Sequence, residues 1–299
     1  MPHSIELDYF IVDVFTGAAL TGNPLAVVLD AVGLSADQMQ SVAREFNLSE
    51  TTFVARREAA VEQAEGVRVR IFTTREELPF AGHPTLGTAS VLRTLAPETL
   101  RGDTLTLALN VGSVPVRFEE RDGLVFGEMT QRDPEFGAEL DRAEVARLTG
   151  LTVSDLHPSA PPQVVSTGTA FAIVPLCSAE ALARLNVLQQ EATPWLRARG
   201  ARWFYVLGPT GATEPDYRAR MQFNGGEDPA TGSAAGCAIS YLVARDLVES
   251  GIEIHVRQGV EILRPSELYL HAKRSGATVN NVGVSGSTVL VAKGRLFLP

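Results

Sequence analysis

Cysteine is scarce in this sequence, and its scarcity excludes several classes of protein. Only Cys177 and Cys237 occur, and no CxxC pair is present. We therefore expect neither a disulfide framework nor a cysteine-bound zinc site, and we expect a reducing, cytoplasmic environment. The five histidines, at positions 3, 83, 157, 255 and 271, are not spaced as metal ligands, so we expect no metal.

Long apolar runs and basic clusters are missing as well. No uncharged apolar run is long enough to span a bilayer, and MPHSIELDYF lacks the basic start and apolar core of a signal peptide. The net charge is −9, and no cluster of Lys and Arg marks a nucleic-acid surface. We expect a protein that binds neither membrane nor nucleic acid, and 299 residues favour two domains.

The common cofactor and nucleophile motifs are also absent. No GxGxxG follows a strand, and neither GxxxxGK[ST] nor HExxH occurs. Ser233 does not lie in a GxSxG motif, because Thr231 occupies the first glycine position. Hydride, phosphoryl and metal chemistry are disfavoured, and we expect no cofactor.

The sequence does contain an internal repeat. Residues 67–84 align without a gap on residues 217–234, and five of the 18 positions are identical. The identical pairs, each 150 positions apart, are Arg68 and Arg218, Arg70 and Arg220, Glu77 and Glu227, Pro79 and Pro229, and Gly82 and Gly232. Chance recurrence of turn residues is the alternative to duplication.

The surroundings of the repeat favour duplication. In each half an alternating strand leads into a Gly/Pro turn and then a small-residue helix, PTLGTASVLRTL or SAAGCAISYLVARDLV. Upstream, 14–29 and 164–176 both read as strand, turn, strand, followed by an amphipathic helix and a further strand. This order predicts an α+β domain made twice. We expect domains at 1–128, joined by a C-terminal strand at 286–299, and at 129–285.

The stretch GEDPATGSAAG (226–236) predicts the start of a helix. Asp228 is expected to cap it, Pro229 suits its first turn, and the small residues leave backbone N–H groups uncovered. One interpretation is a capped helix packed against a sheet, and the other is an anion site at the helix dipole. An equivalent turn at Gly82 favours the anion site, since two facing domains would aim both dipoles at one cleft.

Three side chains are candidates for acid–base chemistry. His83 lies inside FAGHPTLG, where an imidazole titrating near neutral pH would adjoin the anion site, although it could be structural. Asp228 lies in the matching turn, and capping does not exclude catalysis. Glu50 stands at a helix–strand junction in FNLSETTFV, where it is either a solvated loop charge or a carboxyl whose pKa Leu48 and Phe53 raise by desolvation.

Four stretches in this order and spacing, GNPLAVV, NLSETTFV, FAGHPTLGTA and EDPATGSAAG, resemble the PhzF (phenazine-biosynthesis protein) family over essentially the whole chain. The resemblance implies a diaminopimelate-epimerase-like fold of two similar α+β domains, each a sheet wrapped around a central helix. It also implies an active site between the domains, and a homodimer. By the same resemblance, Glu50 removes and redelivers a proton, while His83 and Asp228 bind polar groups of the substrate and assist the transfer.

The resemblance further implies that backbone N–H groups hold a substrate carboxylate at Gly82, Gly232 and Ser233. Epimerases of this fold use two cysteines at the paired turns, but neither turn contains one here, and Cys237 is expected in the core. We therefore expect a cofactor-independent isomerase that acts on a small cyclic or amino-acid-like carboxylate. A non-catalytic metabolite-binding protein and a hydrolase or lyase on the same scaffold are the alternatives.

The catalytic interpretation makes a geometric demand. Glu50, His83 and Asp228 should converge on one small substrate, and a separation above ~15 Å would exceed what one small molecule can bridge. Gly82 and Gly232 should both line the same cleft.

Overall fold

The computed structural model describes residues 5–211, 216–223 and 225–299, which form two compact units. The first unit comprises 5–129 and Gly286–Pro299, and the second is the described part of Thr130–Ser285. The C-terminal segment is therefore in the same unit as the N-terminal half.

The first unit contains a mixed sheet and three α-helices. Its strands are β1 (Ile5–Val14), β2 (Asn23–Val28), β3 (Glu50–Ala55), β4 (Val67–Thr73), β5 (Glu77–Leu78), β6 (Thr104–Leu109), β7 (Gly112–Arg121) and β8 (Leu124–Thr130). Its helices are α1 (Ala36–Phe46), α2 (Ala59–Glu65) and α3 (Gly82–Leu95), with a 3₁₀ turn at Pro97–Thr99. The sheet order is β1-β2-β3-β4-β6-β7-β8, and β5 pairs with β4.

The second unit repeats this plan with additional short elements. Its strands are β9 (Glu135–Glu139), β10 (Gln163–Ser166), β11 (Ala170–Pro175), β12 (Phe204–Pro209), β13 (Tyr217–Arg220), β14 (Gln222–Phe223), β15 (Gly226–Glu227), β16 (Ile254–Gln258) and β17 (Ser266–Ser275). Its helices are α4 (Arg142–Thr149), α5 (Gln189–Arg197) and α6 (Gly232–Ala244), with 3₁₀ turns at Val153–Asp155, Ala179–Arg184 and Val260–Ile262. The order is β9-β10-β11-β12-β13-β16-β17, followed by the start of the long strand β18 (Thr278–Leu298).

Strand β18 begins in the second unit and ends in the first. There its last residues pair antiparallel with β1, from Val14↔Thr288 to Ile5↔Leu298. Residues 288–298 of β18 therefore lie in the same sheet as the N-terminal strand β1.

The strands of the two units have the same order and the same relative directions. In the first unit the parallel pairs are β2–β3 and β4–β6, and in the second they are β11–β12 and β13–β16. The helices that follow, α3 and α6, begin at Gly82 and Gly232, the two glycines that the repeat aligns. The predicted α+β fold made of two similar domains is confirmed.

Each unit has one buried helix at its centre. Ten of the fourteen residues of α3 and eleven of the thirteen residues of α6 are buried. Helix α3 packs against β1, β2, β3 and β6, and α6 packs against β10, β11 and β17. Small residues allow this close approach: a Cβ on Gly87 would come within 2.7 Å of both Val14 and Leu25. Cys237 is buried in α6, where a core residue was expected.

Candidate active site

Glu50 is the first residue of β3, in the middle of the first sheet. It is paired with Leu25 on β2 and with Thr73 on β4. Helix α1 ends with Asn47 in the left-handed conformation (φ 52°), so the chain enters β3 after a short turn. The Glu50 side chain is only 16% exposed, which separates it from an ordinary solvated loop charge.

His83 lies directly beside Glu50. It is the second residue of α3, its side chain is 6% exposed, and its Nε2 lies 3.4 Å from Oε2 of Glu50. On the other side of the ring, Nδ1 lies 3.2 Å from Nδ2 of Asn23, the first residue of β2. Two adjacent parallel strands and the central helix therefore bring together three polar residues from distant parts of the sequence.

The protonation state of His83 follows from its burial. Desolvation lowers the pKa of His83 to about 3, so the ring is neutral at physiological pH and its contact with Glu50 is not an ion pair. An amide nitrogen can only donate, so Nδ1 accepts from Asn23 and the ring proton lies on Nε2. This tautomer places the ring proton on the nitrogen that lies 3.4 Å from the Glu50 carboxylate.

We predict that His83 makes stability depend on pH. Its pKa is lower in the folded chain than the usual 6.5, so the unfolded chain binds more protons as the pH falls from about 6.5 towards 3. The free energy of unfolding should therefore fall with the pH, by about 2–3 kcal/mol between pH 6.5 and 4.5 from this group alone. Urea unfolding of the wild type and of His83→Asn at several pH values isolates that contribution. If the free energy of unfolding changed with pH equally in the two proteins, the assignment of a neutral, buried ring would be contradicted.

Asp228 lies in a turn of its own ahead of α6. Its backbone N–H donates to the carbonyl of Met221 (2.9 Å), and its carboxylate Oδ2 accepts from the hydroxyl of Thr231 (2.7 Å). The prediction that Asp228 caps the helix and Pro229 begins it was wrong. Helix α6 begins at Gly232 with Thr231 in the N-cap position, because hydrogen bonds to its backbone hold Asp228 in the preceding turn.

The first turns of α3 and α6 have the same character. Ala81 and Thr231 occupy the N-cap positions, and among the described residues neither makes a side-chain capping hydrogen bond. The first intrahelical bonds are Thr85 N–H to Ala81 O and Ala235 N–H to Thr231 O. The amides of Gly82, Gly232 and Ser233 lie ahead of those bonds, at the positive end of each helix dipole.

The turns that lead into these helices are held by equivalent ion pairs. Arg70 binds Glu77 through two hydrogen bonds of 2.7 and 2.6 Å, and Arg220 binds Glu227 through two of 2.9 and 2.6 Å. All four residues belong to the aligned repeat. Such bidentate pairs are short and directional, so they orient β5 and β15 immediately before the helix starts.

The structure thus groups the predicted residues in two sets. Glu50, His83 and Gly82 are neighbours in the first unit, while Asp228, Gly232 and Ser233 are neighbours in the second. That both sets act on one substrate stays a prediction. Sequence reasoning missed the supporting residues, although Asn23 stands in the quoted stretch GNPLAVV. An Asn at the first position of a buried strand was the available signal for it.

Neither a metal centre nor a membrane span is found in the part of the chain that the structure describes. No group of three or more His, Cys, Asp or Glu residues there could hold a metal ion. None of its helices combines the length and apolar character needed to cross a membrane. His3 lies outside the described residues.

Solved structures of the same architecture include a PhzF-family phenazine biosynthesis protein and a predicted epimerase. A phenazine biosynthesis protein of the PhzF family from Bacillus anthracis has a TM-score of 0.86 at 26% identity, covering 98% of this chain and 99% of its own. A predicted epimerase from Pseudomonas aeruginosa has a TM-score of 0.81 at 36% identity, covering 97% and 99%. Both structures share the fold of this chain over nearly its whole length.

Sequence comparison then identifies the family. The model of the PhzC-PhzF family, described as phenazine biosynthesis-like protein, matches residues 12–294. The trans-2,3-dihydro-3-hydroxyanthranilate isomerase of Pseudomonas aeruginosa is 38% identical over 294 residues, covering 97% of this chain and 99% of that enzyme. The chain belongs to the PhzC-PhzF family, and it is an isomerase.

Proposed function

We propose that this isomerase moves a proton within a small carboxylate, without a cofactor, and that Glu50 removes and redelivers that proton. The observation that carries the proposal is the contact between Glu50 and His83, two largely buried groups that lie 3.4 Å apart. A general base must lie within hydrogen-bond reach of the proton that it abstracts and must hold a defined orientation. The neutral His83 ring lies against the Glu50 carboxylate and limits the positions that the carboxylate can take.

His83 and Asp228 are proposed to bind polar groups of the substrate and to assist the transfer. A neutral imidazole N–H can donate to a substrate oxygen without the free-energy cost of burying a charged ring. The Asp228 carboxylate is oriented by the Thr231 hydroxyl, which leaves it suited to accept a hydrogen bond or a proton. In this proposal one substrate molecule contacts residues of both units.

The helix starts at Gly82 and Gly232 are proposed to bind the substrate carboxylate. Their amides lie ahead of the first intrahelical bonds, and among the described residues the N-cap side chains do not cover them. Backbone N–H groups at a helix N-terminus favour a negative charge through the helix dipole. Ser233 is small enough to leave this approach open and can add a hydroxyl donor.

The substrate class is proposed from this chemistry and from the relatives. One relative is named for the isomerisation of trans-2,3-dihydro-3-hydroxyanthranilate, which is a cyclic carboxylate. We propose a cyclic or amino-acid-like carboxylate for this chain as well. We further propose a cytoplasmic homodimer, which analytical ultracentrifugation of the purified protein can test.

The test of the proposed function is a screen in deuterated water. Cyclic and amino-acid carboxylates, beginning with trans-2,3-dihydro-3-hydroxyanthranilate, are incubated with chelator-treated protein and followed by NMR and mass spectrometry. We expect a product of unchanged composition apart from exchanged hydrogen, formed at the same rate without added metal or cofactor. A product altered by water would indicate a hydrolase or lyase, and saturable binding without turnover would indicate a binding protein. Because Glu50 can return the proton that it removed, a product without deuterium would not exclude isomerisation. The position of the double bond, or the configuration, in the product therefore decides the outcome.

A further inference from the structure

Gln258 is a buried residue whose side chain uses every hydrogen-bonding position that it has. It is the last residue of β16 and is fully buried. Its Nε2 donates to the backbone oxygen of Asp228 (2.8 Å) and to the hydroxyl oxygen of Thr231 (3.0 Å). Its Oε1 accepts from the N–H of Thr231 (3.1 Å) and from the hydroxyl of Tyr205 (3.1 Å). An amide has two donors and two acceptor positions, so Gln258 is fully satisfied.

These bonds allow only one orientation of the Gln258 amide. Exchanging its oxygen and nitrogen would direct NH₂ at the Thr231 backbone N–H, leaving two donors face to face. It would also direct the oxygen at the carbonyl of Asp228. Tyr205 remains a hydroxyl donor, because burial, with a smaller contribution from Asp228, raises the pKa of Tyr205 far above its usual range. The direction of every bond in the group is therefore determined.

The orientation of Gln258 in turn determines where the Thr231 proton points. Since Nε2 can only donate, the Thr231 oxygen accepts that bond, and its own proton is directed to Oδ2 of Asp228, 2.7 Å away. A hydroxyl held in this way donates a short, directional hydrogen bond to the carboxylate and restricts its rotation. Gln258 thus acts on Asp228 through two contacts, one to the backbone and one through Thr231.

The backbone around Gln258 leaves little room for this arrangement to relax. Register places Gln258 opposite Ala219 on the parallel strand β13. The next residue, Gly259, has a φ of +78°, and a Cβ there would lie 2.7 Å from the carbonyl oxygen of Pro229. The end of β16 therefore packs directly against the turn that carries Asp228.

We propose that Gln258 and Thr231 are positioning residues for the reaction, which hold the Asp228 carboxylate in one orientation. The inference rests on the proposed function of Asp228, but it assigns roles to two further residues: Thr231, which lies in the stretch EDPATGSAAG, and Gln258, which lies outside every quoted stretch. Neither residue is required to touch the substrate. Their effect should appear in turnover more than in substrate affinity.

The closing experiment compares Thr231→Val with Thr231→Ser, using the carboxylate that the screen identifies. Valine removes the hydroxyl and keeps the shape, so we expect kcat to fall about 10–100-fold with KM changed less than about threefold. Serine retains the hydroxyl and should restore kcat to within about threefold of wild type. Thr149→Val is the matched control for losing a buried threonine hydroxyl, since Thr149 is fully buried in α4 and its hydroxyl donates to the carbonyls of Val145 and Ala146 in the same helix. It should leave kcat unchanged.

Gln258→Met tests the same bonds from the other end. Methionine keeps the length of the side chain but cannot donate, so the Thr231 hydroxyl loses the bond that directs its proton to Asp228, and kcat should fall as in Thr231→Val. Both changes break the same chain of hydrogen bonds, from Gln258 through the Thr231 hydroxyl to Asp228. The kcat of the double variant should therefore be no lower than that of the slower single variant. Additive losses, or a Thr231→Val enzyme with wild-type kcat, would overturn the inference.

Two further measurements separate this inference from the proposed function. If Asp228→Asn abolishes turnover while Thr231→Val does not, the positioning role fails and the function of Asp228 stands. If Asp228→Asn retains wild-type turnover, the proposed role of Asp228 fails, and the positioning role with it. Crystal structures of the two Thr231 variants need no substrate. We expect the Asp228 rotamer to be kept with serine and changed or dispersed with valine, and an unchanged rotamer with valine would overturn the proposal.

Discussion

Replacement of Glu50 by Gln is expected to lower turnover by about 10²–10⁴-fold, which is what a positioned acid–base group typically contributes. Glutamine has nearly the same shape and can still hydrogen-bond, but it cannot take up and return a proton at neutral pH. The fold should survive, because Glu50 begins its strand and its backbone pairing with Leu25 and Thr73 does not involve the side chain. Steady-state kinetics give turnover, and thermal unfolding reports the fold.

The control for Glu50→Gln is Glu45→Gln, which makes the same chemical change at an exposed position on α1. We expect that variant to be indistinguishable from wild type in both kcat and KM. The KM of Glu50→Gln should stay within a few-fold of wild type, since the carboxylate of the substrate is proposed to bind elsewhere. Wild-type turnover in Glu50→Gln would rule out glutamate as the proton carrier.

Replacement of Arg220 by Met is expected to lower the free energy of unfolding by about 3–5 kcal/mol, the range for breaking a buried ion pair from one side. The side chains of Arg220 and Glu227 are only 9% and 6% exposed, and Arg220 also donates to the carbonyl of Leu182 (2.6 Å). Methionine fills similar space but leaves the Glu227 carboxylate buried without its main partner. Urea unfolding at pH 7 measures the change.

The repeat provides the matched control for this prediction. Arg70 and Glu77 form the equivalent bidentate pair in the first unit, but their side chains are 23% and 25% exposed. Water can solvate a carboxylate at that exposure, so Arg70→Met should lower the free energy of unfolding by about 1 kcal/mol. Equal losses in the two variants would show that burial does not govern these pairs.

Local patterns in the sequence were sufficient to predict the repeated fold. The repeat of residues 67–84 at 217–234 predicted two similar α+β domains, and the structure confirms it down to the helices that begin at Gly82 and Gly232. This success has a simple cause, because strand alternation, turn residues and small-residue helices are local features that survive duplication. The prediction of a cap at Asp228 failed, because backbone hydrogen bonds from outside the segment hold it in a separate turn.

The sequence likewise predicted one part of the candidate site and not the other. Motif resemblance selected Glu50 and His83 by position, and it assigned the chain to a family that includes a trans-2,3-dihydro-3-hydroxyanthranilate isomerase. The sequence could not predict that the His83 ring is neutral, since that depends on burial among elements distant along the chain. It could not show that Asn23 lies against one side of that ring and Glu50 against the other.

The sequence by itself determined the duplication, the fold class and the family, because these depend on order and spacing along the chain. Only the tertiary structure decided which polar groups support the site. Gln258 lies 30 residues from Asp228 and 53 from Tyr205, yet it bonds directly to both. Hydrogen bonds form between atoms about 3 Å apart whatever their separation in sequence, so parallel strands and a buried helix are needed to bring such partners together.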